Sequence, residues 1–440
     1  MKKTPIDRKV VDKCLRESGI INVGEANIRQ IRRLINSVEE ETGHRYIRLE
    51  MGIPGLKAPQ FAIEAEKEAL DQGCASQYPA IDGHPALKFE TSRFIKNFLN
   101  VFITPRSCIP TVGSINGAYA TFMVAGRRDR NKDTVLFIDP GFPVHKQLVR
   151  MIGLKAVNFD VYNYRSELLH EKLESYLSKG NISTIIYSNP NNPSWICFNE
   201  QELRIIGELA NKYDVVVAED LAYFAMDFRK DLSTPGKPPY QATVARFTEK
   251  YVLLISTSKI FSYAGQRTGL LAISDTLFDS DYPDLLQYYM SQNFGYCLVY
   301  GTVYNTTAGC THTTQHAVSA ILKEVNEGRY RFLEDVREYG ERAKIMKKMF
   351  LNAGFKIVYD KDIEEPIADG FYFTICYPGI NGEYLTRELL YYGISTISLS
   401  ITGSDRKDGV RICVSLVSRA QFPELEFRLN KFHEHHKLVP

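Results

Sequence analysis

An α/β fold built on a largely parallel sheet is what this sequence predicts, and three observations carry that reading. Continuous apolar runs at Thr134–Asp139, Thr184–Asn189, Asp214–Glu219, Tyr251–Ser256 and Gly269–Ser274 alternate with helical patterns from Phe61 to about Ser274. Runs that are apolar on both alternating faces suit strands buried on both sides, with crossover helices between them. After a long charged helical stretch the rhythm changes to shorter strands, which marks a second, α+β unit. Finally, 440 residues exceed the roughly 250–300 that one core reaches, so about two domains are expected.

Taken in order, Ile28, Ile31, Leu34, Ile35 and Val38 fall at helical spacing and stop near Gly43. The five apolar runs follow, interrupted by the Pro- and Gly-rich segment Leu232–Tyr240, which reads as a surface loop. From about Gly328 to Asn352 an amphipathic helix carries Phe332, Val336, Tyr339, Ala343, Met346 and Phe350 on one side, with Gly354 as its stop. Short strands are expected at Phe355–Tyr359, Phe371–Cys376 and Val410–Leu416.

Composition narrows the function classes. Apolar residues make up 44% and charged residues 24%, and the net charge of +2 gives no reason to expect nucleic acid or an acidic membrane as partner. The mixed run Arg127-Arg-Asp-Arg130 reads as a solvated helix end. Eight scattered cysteines form no CxxC pair, so neither a zinc ribbon nor a redox motif is expected, and no metal site is. Without an apolar stretch behind the basic N-terminus, they fit a reducing cytoplasm. No window reaches the ~20 apolar residues of a membrane span.

The chemistry is carried by motifs at the ends of the strand-like runs. Ser256-Thr-Ser-Lys-Ile-Phe-Ser-Tyr-Ala-Gly-Gln-Arg-Thr-Gly269 puts Lys259 after a buried strand, with Arg267 a short loop on. A lysine becomes nucleophilic where desolvation or nearby positive charge disfavours its ammonium. Thr111-Val-Gly-Ser-Ile-Asn-Gly-Ala118 is a glycine-bearing turn entering a helix, whose free N–H groups suit a phosphate. Asp139-Pro-Gly-Phe-Pro-Val144 offers Phe142 as a flat face at the carboxyl edge of the sheet. Ser188-Asn-Pro-Asn-Asn-Pro-Ser194 forces an extended turn able to aim an amide inward. Ala218-Glu-Asp-Leu-Ala-Tyr223 ends a strand on a carboxylate, which is costly to desolvate without a cationic partner. Each has an ordinary explanation alone: a surface lysine, a loop–helix junction, a core phenylalanine, an N-cap aspartate. Their common placement at strand ends does not.

In that order, Asn-Pro-x-Asn-Pro, Asp-x-x-Tyr, then Ser-x-Ser-Lys with Gly-x-Arg-x-Gly, the chain resembles the class I/II (fold type I) pyridoxal-phosphate-dependent aminotransferases, which have the aspartate-aminotransferase-like fold. Leu49-Glu-Met-Gly-Ile-Pro54, Tyr78-Pro-Ala-Ile-Asp-Gly-His-Pro-Ala-Leu-Lys88 and Val410-Arg-Ile-Cys-Val414 extend the resemblance over nearly the whole chain. It implies a large cofactor domain over 61–325, with a seven-stranded-type, mostly parallel sheet flanked by helices. A smaller α+β domain would come from 1–60 and 326–440. It implies pyridoxal 5'-phosphate as cofactor and Lys259 as Schiff-base lysine and proton shuttle. Asp220 would pair with the pyridine nitrogen, Asn192 and Tyr223 with the phenolic oxygen, and Phe142 would stack on the ring. Gly113, Ser114, Ile115, Ser256 and Arg267 would hold the phosphate. Tyr78 would reach the phosphate of a neighbouring subunit in a homodimer. Arg411 would clamp the substrate carboxylate near Gly52 and Asn192.

The implied reaction is ping-pong transfer of an amino group from an L-amino acid to a 2-oxo acid; a C–S lyase or an amino-acid decarboxylase is the alternative. An effector-sensing regulator would need a DNA-binding domain, and one main amphipathic helix before Leu49 is too little for that. The chain departs from the family at Asn192-Pro-Ser-Trp195, where Asn-Pro-Thr-Gly is usual, at Asp220-Leu-Ala-Tyr223, and at Phe142, where tyrosine is usual. Aromatic residues crowd the region from Tyr288 to Tyr304, which in the family lines the site across the dimer, and that region holds no arginine for a second carboxylate.

Overall fold

The computed structural model describes residues 3–437. Met1 and Lys2, at the head of the basic N-terminal stretch, and the last three residues of the C-terminal segment lie outside the described residues. The chain opens with two helices, not one: α1 (Arg8–Glu17), capped by Asp7, precedes α2 (Ile28–Thr42). The apolar set of α1 is short and broken by charges, so it gave a weaker periodic signal. Asn27 and Gln30 form a capping box at the start of α2, and Gly43 ends it at φ 70°, a left-handed turn that suits glycine. The two-residue strand β1 (Ile47–Arg48) follows, then α3 (Gln60–Asp71) and α4 (Pro85–Leu99).

The main sheet comprises β2 (Cys108–Val112), β3 (Thr134–Asp139), β4 (Lys155–Asp160), β5 (Ile182–Ser188), β6 (Val216–Leu221), β7 (Tyr251–Ser256) and β8 (Thr268–Ile273). Their order across the sheet is β2-β8-β7-β6-β5-β3-β4. Only β8 runs against its neighbours, pairing antiparallel with both β7 and β2. This reversal positions the site: the carboxyl ends of β2, β3, β5, β6 and β7 and the amino end of β8 share one edge. The helix α5 (Gly113–Ala125) starts at that edge straight from β2.

Beyond the sheet, the helix Phe332–Asn352 leads to a four-stranded antiparallel sheet whose central strands are Tyr372–Cys376 and Gly409–Cys413. Thr374 faces Arg411 in its register. The N-terminal stretch packs here: β1 pairs in parallel with Ile394–Ser395, and the Ile6 amide donates to Tyr391 O. The run Arg127–Arg130 follows the end of α5 with Arg130 exposed, as expected of a solvated helix end, but Arg128 departs from that reading. Arg128 is buried and its Nη1 donates to Asp214 Oδ2 at 2.9 Å, tying the end of α5 to the start of β6. No described helix is long and apolar enough to cross a membrane.

Candidate active site

At the shared edge of the sheet a cavity of about 270 Å³ is lined by Ser114, Ile115, Phe142, Asn192, Asp220, Tyr223, Ser256, Lys259, Arg267 and Arg411, with Gly52 beneath. Residues read from widely separated motifs of the sequence therefore face one space.

On one side is an anion cradle. The first turn of α5 has no side-chain N-cap, so its leading N–H groups are free. Gly113 has φ 71°, and a Cβ on it would lie 2.6 Å from Arg267 Nη2, so glycine lets the guanidinium close over the helix end. Arg267 holds its own φ at 52° and donates Nη1 to Ala264 O at 2.9 Å, which fixes its aim. Ser256 caps the short helix Thr257–Ile260 by accepting from the Ser258 amide, so both serines sit at a second helix start.

At the end of β6, Asp220 is buried, and among the described residues no lysine or arginine pairs with it. Its nearest basic group is His145 Nε2 at 4.0 Å. Burial pushes the Asp220 carboxyl up to about 7 and pulls His145 down to about 4, so that imidazole is neutral. His145 also meets Phe142 edge-on, with ring centroids 5.4 Å apart, which stands Phe142 upright in the cavity. Lys259, one helical turn past β7, has its ammonium disfavoured by burial and then by Arg267 and Arg411.

Arg411 forms the opposite wall. It is buried at 1% exposure, donates Nη1 to Asn192 Oδ1 (3.2 Å) and Nη2 to Glu50 O (2.6 Å), and leaves Nε without a partner. Among the described residues no carboxylate pairs with it, and a buried cation without a counter-ion asks for an anionic ligand. Tyr372 packs its ring 4.6 Å below the guanidinium and receives a hydrogen bond from the Tyr223 hydroxyl at 2.8 Å. A Cβ on Gly52 would lie 2.2 Å from Tyr372 Oη, which is why this position has no side chain. Trp195, at φ 66° where the family's glycine is usual, does not line the cavity. It packs behind Tyr223 (5.3 Å) and Tyr372 (6.3 Å).

Tyr78 stands apart, 93% exposed in this chain. Thr314 is buried and donates to Thr311 O within its own chain. His145 and Tyr372 escaped the sequence reading. His145 follows Phe142 by three positions on an ordinary helix start, and Tyr372 sits in an apolar run, so neither carries a local signal.

The donor set fits pyridoxal phosphate: an amine disfavoured as ammonium, an unpaired buried carboxylate, and a helix end roofed by arginine. A fold type I pyridoxal-phosphate enzyme is the class that this sheet and cavity define. The family model for aminotransferase class I and II matches residues 45–426, and the chain belongs to that family. The chain is 26% identical over 353 residues to a probable aspartate aminotransferase of Methanocaldococcus jannaschii, a match covering 75% of this chain and 87% of that protein. It is 24% identical to the aspartate aminotransferase of Pyrococcus horikoshii, covering 84% and 83%. Among solved structures, an alanine aminotransferase from Pyrococcus furiosus superposes with a TM-score of 0.75 at 19% identity, over 94% of this chain and 98% of that one. The protein is an aminotransferase that uses pyridoxal phosphate; amino-group transfer, not the lyase or decarboxylase chemistry, is the activity those relatives carry in their names.

Proposed function

We propose that this cavity transfers an amino group from an L-amino acid to a 2-oxo acid, with Lys259 as the group that both anchors the cofactor and moves the proton. The observation that carries it is the convergence of Lys259, Arg267 and Arg411 on one space, in which Asp220 is the carboxylate of the lining.

When bound, the cofactor supplies an aldehyde that exchanges amines and a ring that accepts the electron pair released at the substrate α-carbon. The residues divide the remaining work. The α5 start at Gly113, Ser114 and Ile115, with Ser256 and Arg267, holds the phosphate and sets the ring's register. Asp220 would pair with the protonated ring nitrogen and balance its charge, and Phe142 would cover one ring face. Asn192 would donate its amide to the ring's phenolic oxygen, and Tyr223 would do so once its hydroxyl proton turns from Tyr372 to that oxygen. Arg411 grips the substrate carboxylate through two parallel N–H donors, and Asn192 Oδ1 and Glu50 O keep its plane fixed. With the carboxylate fixed, the α-hydrogen would turn toward Lys259, whose amine, disfavoured as ammonium by burial, would take that proton and could return it. Tyr78 reaches the phosphate of a second subunit in a homodimer. Residues 61–325 act as the cofactor domain, with 1–60 and 326–440 as the smaller domain that carries Arg411 to the cavity. The eight free thiols support a cytoplasmic setting.

Purified protein given pyridoxal phosphate should gain a long-wavelength absorbance band. Borohydride should then fix the cofactor covalently to Lys259, as peptide mapping would show. Lys259→Ala should lack both the band and the label. A protein that stays colourless, or a label on another lysine, would sink the proposal.

A further inference from the structure

The cavity's positive charges are all committed. Arg267 roofs the α5 start, Arg411 is held against Asn192 and Glu50 O, and Lys259 is the amine itself. The remaining base, His145, is buried and turned toward Asp220. Apart from Ala222 and Ser258 at the ends of β6 and β7, what is left of the lining is Ile28, from the first position of α2, Met51 and Ile53 on either side of Gly52, and the rings of Phe142 and Tyr372. Ile53 is 41% exposed and stands at the mouth.

The two segments read as facing a second subunit carry no lysine or arginine either. The exposed tyrosines Tyr296, Tyr300 and Tyr304 recur every fourth residue along one continuous helical stretch. Its end is tied to the first turn of α5 by the hydrogen bond from Asn116 Nδ2 to Thr306 Oγ1, 3.3 Å. No lysine or arginine occurs between Arg267 and Lys323, nor between Lys67 and Lys88, the stretch that carries Tyr78. The histidines of these two segments, His84, His312 and His316, cluster with their rings tilted against one another instead of projecting singly.

We infer that the amino acid accepted here carries a neutral, apolar side chain and not a second carboxylate, with Ile28, Met51 and Ile53 as the wall it meets. This rests on the reading of Arg411 as the clamp for the α-carboxylate. A distal carboxylate pressed against this wall loses its hydration and gains no partner, whereas an aliphatic or aromatic side chain gains by leaving water. The wall thus separates this chain's substrate from the dicarboxylate that several of its relatives are named for.

The test is a rate panel on the cofactor-loaded protein, following the bleaching of the cofactor band by L-leucine, L-methionine, L-phenylalanine, L-aspartate and L-glutamate. The best of the three neutral amino acids should exceed both acidic ones by at least about tenfold in second-order rate constant. Aspartate or glutamate at parity or ahead overturns this inference and leaves the transfer reaction standing. Bleaching by none of the five sinks the transfer reading, and this inference with it. Calorimetry adds a readout free of turnover: 4-methylpentanoate should bind the loaded protein more tightly than succinate, and the reverse order overturns the assignment. Ile53→Arg should shift the aspartate-to-leucine ratio at least about tenfold toward aspartate; an unchanged ratio removes Ile53 from the wall.

Discussion

Asp220 is where burial and chemistry meet most directly. Its carboxyl is raised from 3.8 to about 7 because burial disfavours the anion, with only the Ala222 amide and Lys259 opposing that. Before the cofactor arrives, the folded chain therefore keeps a proton that the unfolded chain has already lost between about pH 4 and 7. The side chain's contribution to stability is intact below pH 4 and lost as pH rises through 7. The groups facing it are His145, which is neutral, and Lys259, whose ammonium is disfavoured by burial. Asp220→Asn should leave the apoprotein's melting temperature unchanged at pH 4 and raise it by a few degrees at pH 8. It should also lower kcat of the loaded enzyme by ~10²–10³-fold, since the ring nitrogen's proton loses its counter-charge. Melting curves at the two pH values decide the first part; an equal shift at both would mean that Asp220 is not the titrating group. This residue was legible from sequence because a carboxylate closing an apolar strand is chemically out of place. His145 was not, since nothing in Phe142-Pro-Val-His145 distinguishes a ligand-facing imidazole from a core one until the fold sets it beside Asp220.

Among elements, the turn after β5 holds the least expected choice. Trp195 occupies a left-handed backbone position, uncommon for any side chain but glycine, and is fully buried with its indole N–H unpartnered. The compensation is spatial. Gly370 leaves the space the indole needs, since a Cβ there would fall 1.9 Å from Trp195 Cε2, and Tyr223 and Tyr372 pack against the ring from the cavity side. Trp195→Gly relieves the backbone but opens a void, for a net loss of ~2–4 kcal/mol. Gly370→Ala alone should cost ~1–3 kcal/mol by overpacking. In the Trp195→Gly background the same alanine should be nearly neutral, a coupling of at least ~1 kcal/mol by denaturant titration. Strictly additive losses would show that ring and glycine do not share the space. The departure at Trp195 could be read from the sequence, but not its answer at Gly370, because the two meet only across the fold. The same limit applied to the sheet. The apolar runs marked β3 and β7 to the residue, and β5, β6 and β8 to within two. They said nothing of the reversed direction of β8, since a strand buried on both faces has the same pattern either way. β4 was missed because half of it is exposed.

At the scale of the molecule, the surface beside the cavity is unfinished in a single chain. Met290 and Tyr78 are 96% and 93% exposed, and the stripe of Tyr296, Tyr300 and Tyr304 lies open along one helical face. Apolar surface of this extent, without lysine or arginine among it, marks a protein contact. In the homodimer proposed above a second copy would cover this surface, because the stripe ends beside the α5 start, and Tyr78 projects from the loop just ahead of α4 with its ring open to solvent. Sedimentation should therefore give twice the 50.2 kDa of the chain, and Tyr300→Glu should shift it toward monomer with loss of bound cofactor. Tyr78→Phe separates the two roles. Removing one hydroxyl leaves the contact and the mass intact, but a charge-assisted hydrogen bond to phosphate, worth ~1.5–3 kcal/mol, is lost. The apparent dissociation constant for pyridoxal phosphate should then rise by roughly ten- to a hundredfold. Mixing the Tyr78→Phe protein with the Lys259→Ala protein makes the argument sharper, because each chain then carries what the other lacks. If Tyr78 serves across the contact, a mixed dimer has one site with both groups, its Lys259 from the Tyr78→Phe chain and its Tyr78 from the Lys259→Ala chain. The other site has neither. If Tyr78 instead serves its own subunit, every site lacks one of the two groups. Subunit exchange should therefore restore tight binding, with the long-wavelength band, to half of the sites in each mixed dimer. Titration of the exchanged protein with pyridoxal phosphate reads this directly, and sites bearing Lys259 that all stay weak would place Tyr78 outside the partner's site.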